Sequence, residues 1–211
     1  MKKIIFISLI ILLSGSGLVS SAFAITIGFT PAHDTISLGD SLDVQVYISG
    51  LQKVMPNEIV SAFDLFVSYD PGVLSATEVA FGPYLGDPDL IEAIGDYDLS
   101  TAGVVNFSEL SLIDDDVLDV IQPDTERLLL ATLSFDAVGL GKTFLEFSRH
   151  PIFQIQDVKG RDANVLSVNT RKGRLSVAPV PEPGTMLLLT GGLGSLAVWS
   201  GIAGRRRNKQ G

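Results

Sequence analysis

The feature that most constrains this chain is a strict alternation of apolar and polar residues, repeated in short runs from Leu42 to Val177. A period of two places one side chain in every pair on a buried face, which is the signature of a half-buried strand and excludes an amphipathic helix. Leu42-Asp43-Val44-Gln45-Val46-Tyr47-Ile48 shows it cleanly, and Phe63, Leu65, Val67 and Tyr69 alternate against Asp64, Phe66 and Ser68. Leu74–Phe81 and Val104–Leu112 continue it, the latter with Asn106, Ser108 and Ser111 outward. In Leu128–Val138 the pattern predicts Leu129, Ala131, Leu133, Phe135 and Ala137 on one face. Thr143–Ser148, Ile152–Gln156, Val165–Val168 and Gly173–Val177 complete about nine short strands, spaced as in a sandwich or barrel. Asp70-Pro71-Gly72 and Gly139-Leu140-Gly141-Lys142 read as turns, the second as a hairpin. No comparable helical stretch interrupts the strands, and Asp87–Asp98 carries at most one helical turn.

Two terminal segments flank this all-β region. Lys2 and Lys3, the apolar Ile4–Leu13 and the small-x-small Ala22-Phe23-Ala24 make Met1–Ala24 a secretory signal peptide, so the mature chain is expected to start near Ile25. At the other end stand Val180, Pro181, Glu182 and Pro183, then the uncharged run Met186–Ala203, then Arg205, Arg206 and Arg207. Both prolines fix φ and remove a backbone donor, so that segment is extended and exposed. The run's 18 residues would rise about 27 Å as a helix, nearly the thickness of a hydrocarbon core. The arginines hold the far end in the cytoplasm and leave everything before Val180 outside it. A plain C-terminal anchor has the same physical features.

The order Val-Pro-Glu-Pro, apolar helix and terminal arginine cluster in Val180–Gly211 closely resembles the PEP-CTERM sorting signal of Gram-negative bacteria. The resemblance implies recognition and cleavage near Pro181-Glu182-Pro183 by an exosortase, a membrane-embedded cysteine transpeptidase-like protease. It also implies an inner-membrane intermediate, then a place at the cell surface, in the outer envelope or in an extracellular matrix, in a host that exports polysaccharide.

The domain between, residues 25–178, is long enough for one sizeable core. Without the terminal Lys2, Lys3, Arg205, Arg206, Arg207, Lys209 and Glu182 it keeps nine basic and 23 acidic residues, a net charge near −14. That charge excludes nucleic acid and anionic membrane surfaces as partners. The chain has no cysteine, which removes disulfides, thiol catalysis and thiolate metal sites together.

Three stretches of this domain resemble cohesin-like domains: Ile36–Val44, then Ser61–Leu74 with Tyr69-Asp70-Pro71, then Leu130–Ala137 with Gly139. The resemblance implies a nine-stranded jelly-roll sandwich. In cellulosomes such domains bind dockerins, while many others sit in surface proteins with no cellulosome, so the partner does not follow from the fold. The motif has a packing reason: Tyr69 can close the core at a strand end, Asp-Pro-Gly makes the turn, and Leu74 re-enters the core.

Catalytic chemistry is poorly supported. His33, in the turn-like Thr30–Asp34, and His150, before Pro151, are the two histidines, and no G-x-S-x-G elbow lies in the mature domain. Gly139–Thr143 resembles the end of a P-loop, but Asp136 stands where the first glycine belongs. Asp96-Tyr97-Asp98-Leu99-Ser100 opens like a calcium loop, yet Thr101 and Phe107 occupy positions that need Gly and Glu. Asp87, Asp89, Asp96 and Asp98 are the carboxylates assigned to a possible structural calcium, with Asp114, Asp115, Asp116 and Asp119 as further oxygens in irregular loops. No other cofactor is implied. Asn106-Phe107-Ser108 is a glycosylation sequon inside a strand, and Tyr84 and Tyr97 are the best exposed aromatics for a glycan. The reading is a non-enzymatic exported protein, structural or adhesive near extracellular polysaccharide in a biofilm. The alternative is a specific binding module for a dockerin-like protein, another surface protein or a glycan.

Overall fold

In a computed structural model, residues 24–53, 56–122, 127–148 and 157–180 are described. The signal peptide before Ala24, His150, the expected strand Ile152–Gln156 and the tail from Pro181 onward, with Glu182, Pro183 and Arg205–Arg207, lie outside them. Among the described residues no helix is long and apolar enough to cross a membrane.

The alternating runs become strands: β1 (Thr26–Thr30), β2 (His33–Ser37), β3 (Ser41–Ser49), β4 (Ala62–Ser68), β5 (Leu74–Phe81), β6 (Ala93–Asp98), β7 (Val104–Ser111), β8 (Arg127–Ala137), β9 (Gly141–Ser148), β10 (Asp157–Lys159), β11 (Asn169–Thr170) and β12 (Gly173–Ala178). One helix, α1 (Asp115–Ile121), joins β7 to the segment before β8. The first sheet runs β11-β1-β3-β8-β5 and the second β2-β12-β9-β4-β7-β6, with β10 also on β4. The chain passes from the first sheet to the second between β1 and β2, at the cis bond Thr30–Pro31. The result is an all-β jelly-roll sandwich.

The core is the inner faces of the two sheets. Ile27, Phe29, Val44, Val46, Ile48, Leu133 and Phe135 come from the first and Phe63, Leu65, Val67, Phe107, Leu145 and Leu175 from the second, all buried. Each large apolar side chain taken from water contributes about 1.5–3 kcal/mol before entropy is counted. Phe29 of the first sheet stacks on Phe147 of the second with centroids 4.5 Å apart, and Phe63 meets its second-sheet neighbour Phe107 edge-on at 5.9 Å.

Several expectations are corrected. Twelve strands lie among the described residues rather than about nine, because β1, β2, β6, β10 and β11 carry weak or short patterns. Val165–Val168 forms only an isolated bridge, from Val165 to Lys159. In β8 the inward set is Leu128, Leu130, Ala131, Leu133, Phe135 and Ala137, while Leu129 is only half-buried. A bulge at Leu130, opposite Val46 and Tyr47, inserts one residue and flips the parity of the strand's first part. Gly139–Leu140 is not a hairpin: β8 belongs to the first sheet and β9 to the second, so the turn is an arch between sheets. His33 stands on β2 rather than in a turn, and Asp115, Asp116 and Asp119 stand on α1 rather than in a loop.

Candidate functional site

The Tyr-Asp-Pro motif is structural. The Ala76 amide donates to Tyr69 Oη at 3.2 Å, and the ring meets Phe135 edge-on at 5.3 Å. The Gly72 amide donates to Asp70 Oδ1 at 2.8 Å, and the Val73 and Leu74 amides donate to the Asp70 carbonyl. Leu74 is then fully buried. The motif carries the chain from β4 in one sheet to β5 in the other, beside the Gly139 arch, whose amide donates to the Val73 carbonyl at 3.2 Å.

Two of the four carboxylates assigned to calcium, Asp87 and Asp98, accept local backbone hydrogen bonds. Asp87 Oδ1 accepts from the Asp89 amide at 2.9 Å, capping a short 3-10 turn, and Asp98 Oδ1 accepts from the Ser100 amide at 2.7 Å. That backbone hydrogen bond, helped by the Ser100 hydroxyl, holds the Asp98 carboxyl below its ordinary range. Among the described residues no three His, Asp or Glu side chains converge as a metal site. Near α1, Arg161 pairs with both Asp116 and Asp119, at 3.0 and 2.9 Å. His33 lies exposed beside Asp34, Lys142 and Arg174, with no hydrogen bond to a hydroxyl or carboxylate among the described residues. Asn106 Nδ2 is spent on Asp64 Oδ1 at 3.0 Å, and Tyr84 packs partly against the core, leaving Tyr97 the more open of the two aromatics.

Two features remain as candidate sites. The outer face of the first sheet is polar, with Ser134 donating to Asp43, Ser41 donating to Asp136 and Arg127 over the Tyr47 ring. The outer face of the second sheet differs. Ile94 on β6 lies directly across from Leu110 on β7, and they are 56% and 48% exposed. A recess of about 470 Å³ runs from this pair to Asp64, Asp96, Ser108, Asp157 and Lys159. Lys159 pairs with Asp157 at 3.2 Å, leaving the acidic side chains in excess. Alternation in β7 could have suggested Leu110, but β6 was not read as a strand.

The second feature is on the inner face of β7. Glu109 is 4% exposed, and its Oε2 has no hydrogen-bond partner among the described residues. Burial pushes its carboxyl up to about 7. Sequence reasoning missed it, although it shares the parity of Val105 and Phe107, which puts it on the core side of the alternation.

No protein-family model matches this chain, and no curated protein sequence matches it. Solved structures do. A type I cohesin from Clostridium thermocellum, determined in a cohesin–dockerin complex, superposes with a TM-score of 0.56 at 13% identity over 74% of this chain and 99% of its own. The seventh ScaB type I cohesin of Pseudobacteroides cellulosolvens gives 0.54 at 15%, covering 76% and 96%. The fold is that of a cohesin module. A cohesin module from a family 33 glycoside hydrolase of Clostridium perfringens gives 0.53 at 13%, covering 74% and 97%, so a cohesin-like domain also stands within a larger protein. At such identities the likeness carries the architecture and leaves the surface residues to this chain.

Proposed function

We propose that this chain is an exported, non-enzymatic binding module that holds a partner protein on the outer face of its second sheet. The observation that carries this is the exposed Ile94–Leu110 pair beside the acidic recess, on a fold whose solved relatives include a cohesin crystallised with a dockerin. An apolar centre with a polar rim is how protein interfaces are built, and aligned acidic side chains favour a partner with basic groups at its edge. The sorting tail, in this reading, brings the domain through an inner-membrane intermediate and an exosortase to the surface or matrix, near exported polysaccharide. There the binding is structural or adhesive.

The test is binding of the processed protein to surface and matrix proteins of its host, by wild type and by Leu110→Glu. Saturable binding that Leu110→Glu weakens at least tenfold supports the reading. Binding unaffected by Leu110→Glu and Ile94→Glu would place the interface elsewhere, and binding only to polysaccharide would favour the glycan reading.

A further inference from the structure

A cavity of about 600 Å³ opens at the free edge of the sandwich, between the end of β5 and the inner side of β6 and β7. Glu109 lines it, and Phe81, Pro83, Pro88 and Ile121 supply apolar surface. A buried carboxylate oxygen without a partner is costly, and folded proteins retain few of them. The other lining carboxylates are engaged in the loop itself: Asp87 accepts from the Asp89 amide, and Glu92 Oε2 accepts from the Asp87 amide at 3.1 Å. Among the described residues the lining contains no Lys, Arg or His and no side-chain donor.

We propose that this cavity binds a primary alkylammonium group, with the ammonium on Glu109 and the alkyl stem against Phe81, Pro83 and Ile121. Charge excludes an anion. A neutral sugar needs donors as well as acceptors, and the side chains here offer acceptors alone. A metal ion needs several converging ligands, which are absent among the described residues. A guanidinium carries five donors and would leave most of them unpaired against one free carboxylate. An ammonium is a compact point charge on a flexible stem, and the Phe81 ring adds cation–π attraction.

The ammonium needs the ionised carboxylate, so affinity follows Glu109. With its carboxyl near 7, binding weakens about tenfold per pH unit below that value and levels off above it. Asp87 and Glu92 face the cavity from the loop, while Asp64, Asp96, Asp157 and Lys159 line the recess on the other side of the sheet. The acidic residues of both sets favour the cation.

The experiment uses the full chain in a mild zwitterionic detergent, followed by NMR as n-butylamine is added. Saturable shifts at Phe81, Gly95 and Glu109, with a lowered Glu109 carboxyl titration, are expected, and n-butanol should give neither. Glu109→Gln should keep the remaining spectrum and lose the response. No saturation by n-butylamine, equal binding of n-butanol, or an unchanged response in Glu109→Gln would overturn the proposal. The titration of Glu109 in the wild type decides the matter even if the variant fails to fold. Cadaverine and Nα-acetyl-lysine methylamide then separate the sources: tighter binding of the first assigns a free amine, and of the second a lysine of a partner. Leu110→Glu should leave both unchanged, which separates this site from the sheet-face interface.

Discussion

Glu109 sets a measurable pH dependence. Its carboxyl lies near 7 in the folded chain, raised by burial, against an ordinary value of 4.5. The folded state therefore holds the proton where the unfolded state has lost it. This contribution to stability is full below about pH 4.5, falls as pH rises through 7, and is absent above. Its size is roughly 1–3 kcal/mol, the upper figure applying if the cavity stays dry. Glu109→Gln should flatten that slope and raise denaturation midpoints at pH 8 relative to wild type, as urea titrations at pH 5 and 8 would read. Gln122 has the opposite character. It is buried, accepting from the Val60 amide at 2.9 Å and donating to the Val60 carbonyl at 2.6 Å, as a neighbouring strand would. Gln122→Ala leaves both buried groups unpaired and should cost about 2–4 kcal/mol in chemical denaturation. Tyr69→Phe removes one hydrogen bond and keeps the ring on Phe135, so about 1 kcal/mol is expected.

The elements that sequence reading missed are those whose conformation is imposed by neighbours. β6, Ala93-Ile94-Gly95-Asp96-Tyr97-Asp98, is rich in residues poor at forming strands and is exposed after Ala93. Its pairing with β7 makes it a strand, and Gly95 is required because a Cβ there would lie 2.6 Å from the Phe81 ring. α1 has seven residues and one buried side chain, Leu118, too little for a helical period to show. Its first turn does carry Asp115 and Asp116, where acids favour a helix start. The arches at Asp70–Val73 and Gly139–Leu140 were readable as turns, but their crossing between sheets was not, since a turn sequence does not record which sheet each flanking strand joins. A Cβ on Gly139 would stand 2.0 Å from the Gly72 carbonyl oxygen. Gly139→Ala should therefore push the two arches apart and lower thermal stability by about 2 kcal/mol or more, as calorimetry would show.

For the protein as a unit, the absence of cysteine leaves stability to the core alone, so reducing agents should not shift its denaturation midpoint. The proposed sorting makes a further prediction: material from the host matrix should begin near Ile25 and lack Met186–Gly211 in intact-mass spectra. A membrane-bound species retaining Arg205–Arg207 would make the tail a plain anchor. The sequence by itself determined the all-β class, the strong runs β3, β4, β5, β7, β8, β9 and β12, the turns, and the acidic character, because alternation, turn chemistry and charge are local quantities. The Tyr69–Leu74 motif was equally open to reading, since each of its residues acts on near neighbours. Tertiary structure alone decided the bulge that reverses Leu129, the joining of weak strands such as β6, and the two candidate sites. Ile94 meets Leu110 only through the register of the β6–β7 pair, and Glu109 meets the cavity beside Phe81 only through the packing of that pair against the end of β5; neither register nor packing is a property of any one segment.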